Sequence, residues 1–342
     1  MPDPVRRPIV GEVSSDQASA RLPADGNRSL IGAICCIALR GTDENKGDEP
    51  RCPPTIGAKI VNHCLRSLLV TLLAATAAGA TPVVDRLGLQ LWSLRHELEA
   101  NVSQGLDETK ALGFIRVETA GTYGLKPEEF RDQLTAHGLR AVSAHIPYER
   151  LAGDLPGVIA EAKTLGVEYI VTPWLPQPEF DAAAARSVAA DFNHWGRAIR
   201  TAGMKFAFHP HGYEFHPIPG GGGETPFDLL VSLTTPGDVS FEMDVFWVAH
   251  AGVDPVRLLA KYPDRWTLLH VKDLRKGGEV GVGTRSAPAG DHVAVGTGQL
   301  DWPSILRTAK AIGIEYYFIE DETAAPLQNI PVSVHYLQTF QY

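Results

Sequence analysis

Residues Val239–Leu274 read VSFEMDVFWVAHAGVDPVRLLAKYPDRWTLLHVKDL, and the fold of the chain turns on them. VSFEMDV and RWTLLHV are short apolar runs of strand length. Between them DPVRLLAKY has helical spacing behind an Asp-Pro start. A strand–helix–strand crossover makes the two strands parallel and right-handed. Asp244 and His270 therefore reach the same edge of one sheet. Neighbouring strands lie about 4.8 Å apart, close enough for both side chains to share one metal ion.

The same unit recurs on either side. Towards the amino terminus the strand candidates are GLQLWSL from Gly88, FIRVETA from Phe114, LRAVSAHIP from Leu139, EYIVTPW from Glu168 and MKFAFHPH from Met204. Towards the carboxyl terminus IEYYFIEDE follows the helix DWPSILRTAKAIG, and a closing helix runs through PVSVHYLQTF. Gly113, Gly138, Gly166 and Gly313 each stand just before a strand, where a left-handed helix cap belongs. Eight such units across residues 85–342 have the size and count of a (β/α)8 TIM barrel. An open doubly wound sheet is the alternative, but no glycine-rich dinucleotide turn follows the first strand.

In a barrel of this kind the chemistry sits at the C-terminal strand ends. Those positions hold Gln90 and Trp92, Glu118, His145, Trp174, His209 with His211 and Glu214, Asp244, His270 with Lys272 and Asp273, and Glu320 with Asp321 and Glu322. Singly, each has a plainer explanation. His145 would serve as a core histidine, Glu118 as a helix cap, Lys272 and Asp273 as a surface ion pair, and Asp321 and Glu322 as a solvated loop. Jointly they describe a catalytic site. Asp, His and Glu from adjacent strands make a mixed oxygen/nitrogen site suited to Mn²⁺, Mg²⁺, Co²⁺ or Zn²⁺. Trp92, Trp174 and Trp247 at the rim would offer aromatic faces to a sugar, or fill core.

With these residues in view, the chain resembles the xylose isomerase-like TIM-barrel superfamily, within it the sugar phosphate isomerase/epimerase group. VETAGTYG, SAHIPYE, FHPHGYEF, FEMDVFWVAHAGVDP, LLHVKD, VGTGQLDW and YYFIEDE carry the resemblance. It implies metal ligands from strands five to eight: Asp244, His270 and Glu320 for the last three. Strand five departs from the epimerase pattern, which ends in a glutamate. Here it ends in His209, Pro210 and His211, with Glu214 three residues on; Glu214 is the expected fourth ligand and His211 its substitute.

The reaction expected from this set is α-proton abstraction from a keto-sugar or polyol, through an enediolate stabilised by a divalent Lewis acid. Glu320, His145 or His211 would move the proton, and Lys272 would neutralise oxyanion charge. Glu118, His209 and the three tryptophans would contact the substrate. Isomerisation or epimerisation, dehydration and keto-glycoside lysis all share that first step. A non-catalytic exported sugar-binding protein is the rival of another class.

With 31 Lys and Arg against 40 Asp and Glu, the net charge of −9 disfavours nucleic acid as a partner. A small carbohydrate is the expected partner, and self-association is left open. The four cysteines, Cys35, Cys36, Cys52 and Cys64, all precede the barrel, so a catalytic thiol there is excluded. Residues 1–58 read as a disordered extension or an upstream start assigned in error, with Val61 an alternative initiation site. Residues 59–80, with Lys59, Arg66, the run SLLVTLLAATAAGA and the small residues Ala78 and Ala80, have the order of a signal peptide. A spanning helix needs about 20 apolar residues, so a stable anchor is the weaker reading. The expected mature protein is exported and begins near Thr81. Two loops stand out further on: the Gly220–Gly223 run reads as a lid segment, and residues 275–295 as an insert over the site, with Arg285 or His292 within reach of a substrate.

Overall fold

The computed structural model describes residues 83–175, 180–281 and 286–342. Arg285, the four cysteines and the signal-like run lie outside the described residues.

Eight parallel strands close into a barrel: β1 Leu87–Gln90, β2 Arg116–Thr119, β3 Arg140–His145, β4 Tyr169–Thr172, β5 Lys205–Phe208, β6 Ser240–Asp244, β7 Trp266–Val271 and β8 Tyr316–Ile319. Closure is made by β1 on β8, with Leu87 opposite Tyr317 and Leu89 opposite Ile319. Helices alternate with the strands and their apolar faces pack outside them.

Alternation along each strand sorts the side chains into two cores. In β6, Phe241 and Met243 join the strand–helix core, and Glu242 and Asp244 take the other face. Val142, Tyr169, Val171, Ala207, Leu268, Tyr316 and Phe318 form a separate apolar cluster. Leu268 stands two residues before His270, Ala207 before His209 and Phe318 before Glu320, so this cluster underlies the polar strand ends. Asp244 and His270 face each other in the β6–β7 register, which puts the pair side by side.

Local sequence explains the element ends. Gly113, Gly138, Gly166 and Gly313 all have positive φ, from 65° to 93°, and the backbone N–H groups of Gly166 and Gly313 close the last turns of their helices. Asp254 caps the helix Pro255–Lys261 through Val256 and Arg257 N–H. The first strand stops at Gln90 because its Oε1 accepts the Trp92 N–H at 3.0 Å and turns the chain into a 3₁₀ segment.

The insert after β7 is tied down rather than loose. Asp273–Leu274 pairs antiparallel with His292–Val293. The buried Asp273 carboxylate accepts backbone N–H groups from Leu274 (2.8 Å), Gly296 (2.9 Å) and Gly298 (3.0 Å). Asp321 is also buried and accepts the Thr323 N–H and hydroxyl, so it belongs to the fold and not to a solvated loop. Among the described residues no helix is long and apolar enough to cross a membrane.

Candidate active site

Two imidazoles organise the C-terminal end of the barrel, and each is gripped at its far nitrogen by a buried carboxylate. His209, immediately after β5, directs Nδ1 to Glu242 Oε2 at 2.9 Å. His270 on β7 directs Nε2 to Glu118 Oε1 at 2.7 Å. An ionised carboxylate only accepts, so both nitrogens carry the proton and donate. The opposite nitrogens then converge: His209 Nε2 lies 3.7 Å from Asp244 Oδ2, and His270 Nδ1 lies 3.9 Å from the same oxygen and 3.3 Å from Glu320 Oε2.

Asp244 is the informative member. Its Oδ1 accepts the Trp247 N–H at 3.1 Å and so caps the short helix Val245–His250. Its Oδ2 is fully buried and accepts no hydrogen bond. Burial, only partly offset by Lys272 and His270, pushes the carboxyl up to about 6. Lys272 Nζ lies 3.8 Å from this oxygen, beyond hydrogen-bond range. A buried carboxylate oxygen that faces the neutral His209 imidazole and accepts no hydrogen bond is one that a bound cation would satisfy. Donor types and spacing fit a divalent ion: Asp244, His270 and Glu320 offer ligand atoms within 4.8 Å of one another, and His209 Nε2 faces the same oxygen.

Beneath them lies a second layer. Glu118 on β2 also accepts from Gln90 Nε2 at 2.7 Å and Ser143 Oγ at 2.5 Å. His145 Nε2 is 3.0 Å from both Glu118 and Glu242. Burial would depress that imidazole, but the two carboxylates overcome it and raise it to about 9. Burial likewise works against the charged form of Glu242, yet its histidine neighbours hold it down to about 2. His145, His209, Glu242 and His270 also satisfy the spacing of a metal group. In that group the facing atoms pair as donor and acceptor. In the Asp244 group His270 Nδ1 and Lys272 Nζ reach Glu320 Oε2 at 3.3 and 3.2 Å, but Asp244 Oδ2 accepts no hydrogen bond.

Lys272 stands at the edge of the cluster, 3.2 Å from Glu320 and 3.0 Å from Glu322. Its ammonium lies 5.5 Å from the rings of both Phe246 and Trp247. Burial disfavours the cation, but Glu320 and Glu322 reverse that and raise it above the ordinary lysine value. Lys272 and Asp273 therefore do not pair with each other. Glu320 is held well below the carboxylate range, since Lys272 and His270 outweigh its burial.

A cavity of about 570 Å³ opens over this floor. Trp92 and Trp174, 42% and 40% exposed, stand at its mouth. His145, His209, His211, Trp247 and Glu320 line it, and the insert contributes Ser286, Ala287 and His292. The His211 ring stacks on Trp174 at 4.0 Å. Its Nδ1 is buried and makes no hydrogen bond, and burial together with Lys272 keeps the ring neutral by lowering its pKa well below the usual value.

Three sequence expectations need relocating. Glu214 does not join either metal group; its Oε2 accepts the His211 N–H at 3.0 Å and shapes the loop after β5. Glu118 is not on the cavity wall but under the imidazoles. The Gly220–Gly223 turn does not line the cavity. Sequence reasoning also missed Glu242, although its signal was present: two residues before Asp244 in a strand, it must share the inward face.

An eight-stranded barrel with an acid–histidine cluster at its C-terminal strand ends defines a class. The chain belongs to the xylose isomerase-like TIM barrel family, which it matches over residues 106–339. It is 23% identical over 201 residues to an inosose dehydratase of Lacticaseibacillus casei; the match takes in 52% of this chain and 65% of that one, so it spans less than two thirds of the relative. A sugar phosphate isomerase/epimerase structure from Parabacteroides distasonis superposes with a TM-score of 0.61 at 27% identity, over 77% of this chain and 96% of the other. The IOLI protein, solved with a bound zinc atom, shares the fold at a TM-score of 0.56 and 15% identity, over 74% of this chain and 95% of that one. The relatives are named for sugar isomerase, epimerase and dehydratase chemistry.

Proposed function

We propose that this barrel is a divalent-metal-dependent enzyme that removes an α-proton from a keto-sugar or polyol. The observation that carries the reading is Asp244 Oδ2, buried and accepting no hydrogen bond, near His209 Nε2 and His270 Nδ1 and grouped with the Glu320 carboxylate. His209 thus takes the fourth ligand position expected of Glu214. Bound there, a divalent ion would supply Lewis-acid charge to a carbonyl and its neighbouring hydroxyl.

The remaining steps fall to the chain's own groups. His211 lines the cavity as a neutral imidazole, the form that can accept the α-proton. Lys272, held as a cation between Phe246 and Trp247, offsets charge on the developing enediolate. Trp92 and Trp174 present exposed rings to the C–H faces of a sugar. His145 lines the same cavity and carries a proton at neutral pH, so it is placed to protonate a leaving hydroxyl or glycosidic oxygen. That observation favours elimination over epimerisation, and the inosose dehydratases among the relatives favour it too.

Metal analysis of purified protein, followed by incubation with keto-sugars and keto-glycosides in D₂O, tests the reading. The expected result is bound divalent metal, and C–H exchange with loss of water or aglycone. A deuterated, stereoinverted product without either loss would establish epimerisation instead. Protein that binds sugar but neither holds metal nor exchanges protons would be the non-catalytic alternative.

A further inference from the structure

Two buried glutamates remain that touch neither the cavity nor the Asp244 oxygen. We infer that Glu242 and Glu118 are positioning residues: each grips one imidazole at its far nitrogen, so that His209 Nε2 and His270 Nδ1 are presented to the cation. The inference rests on the metal-centre reading above. By it, Glu242 supplies through His209 the charge that a strand-five carboxylate would otherwise supply directly, one layer further back.

The argument starts from cost. Both carboxylates are fully buried, and a buried charge is retained only when several groups satisfy it; apolar residues of similar volume would serve a core as well. Here the satisfaction is one-sided. Glu242 Oε2 approaches His209 (2.9 Å), His145 (3.0 Å) and His270 (3.3 Å), whereas its Oε1 accepts no hydrogen bond. The group is therefore aimed at the imidazoles, not buried for filling. Glu118 is oriented from behind by Gln90 and Ser143, so that Oε1 meets His270 Nε2 at 2.7 Å. An imidazole whose far N–H donates to a carboxylate has its tautomer and ring plane fixed and its ligating nitrogen made more basic. Loss of such a partner typically lowers metal affinity about 10- to 100-fold.

The test uses the full chain loaded with Co²⁺, whose visible absorption reports the ligand field. Glu242→Gln and Glu118→Gln keep the size of the side chain and an accepting oxygen but remove the charge. Affinity is measured by competition with a chromophoric chelator, and metal-free unfolding by circular dichroism. We expect each variant to bind Co²⁺ about 10- to 100-fold more weakly, with a shifted absorption band, and the metal-free unfolding measurement separates that loss of affinity from any change in stability. Wild-type affinity and spectrum in both variants would overturn the inference while leaving the metal centre standing. Weakened binding with an unchanged spectrum would also overturn it, because a merely structural role predicts that result. A wild-type chain that binds no divalent ion would overturn both readings together.

Discussion

Asp244 ends its strand, caps the next helix with one carboxylate oxygen and leaves the other buried without a donor. That division of labour makes a direct prediction. Asp244→Asn keeps the cap acceptor but puts an amide where the proposed ligand oxygen stood, so metal retention should be lost while the fold persists. His209→Ala should behave likewise. Glu214→Gln, by contrast, should retain metal, because Glu214 Oε2 accepts the His211 N–H in the loop after β5 and the residue belongs to neither metal group. Metal content after dialysis, with circular dichroism as the fold control, checks all three. Retention in Asp244→Asn, or loss confined to Glu214→Gln, would reverse the assignment. Part of this was legible in the chain itself: parallel crossover geometry places Asp244 beside His270, and their register bears that out. The inner layer was not. Glu118 and Glu242 act on side chains 152 and 33 residues away, and strand alternation gives a direction but no partner.

Helix and strand ends follow local chemistry, which is why the eight units can be read from the sequence. Glycine caps and the Asp-Pro start need nothing beyond their own neighbours. The short helix Val245–His250 is harder to see, because every one of its residues is buried and no amphipathic period marks it. Between elements, Asp228 gives a prediction of its own. It accepts the Thr225 N–H in a reciprocal cap, and its Oδ1 takes the Tyr262 hydroxyl at 2.6 Å and the Lys261 ammonium at 2.8 Å, joining two helices. Burial opposes ionisation, but the Lys261 and Tyr262 hydrogen bonds and the Thr225 N–H hold the carboxyl below its ordinary 3.8. Asp228→Ala should cost about 1 to 2 kcal/mol of stability at neutral pH. A depressed carboxyl contributes fully above its unfolded value and loses that contribution as pH falls through the folded one. The gap between wild type and variant should therefore hold down to about pH 4 and narrow below it. Denaturant unfolding across that range measures it, and a gap that widens in acid would refute the linkage.

At the scale of the whole chain, every strand of the closed barrel lies between Leu87 and Ile319. The strand that seals it, β1, begins six residues after Thr81. The barrel closes within the described residues, and each candidate ligand, base and rim tryptophan among them falls after Thr81. We propose that residues 59–80 direct export and are removed. The charged Lys59 and Arg66, the apolar run from Ser67 and the small residues at Ala78 and Ala80 follow the order a signal peptidase reads. A chain started at Thr81 should then unfold at the same temperature as the exported protein, hold the same amount of metal and turn over the same substrate. Amino-terminal sequencing of protein recovered from the host's exported fraction should begin near Thr81. If the shortened chain aggregates or loses metal while the full chain does not, the leading residues are part of the folded enzyme, and the export reading is wrong.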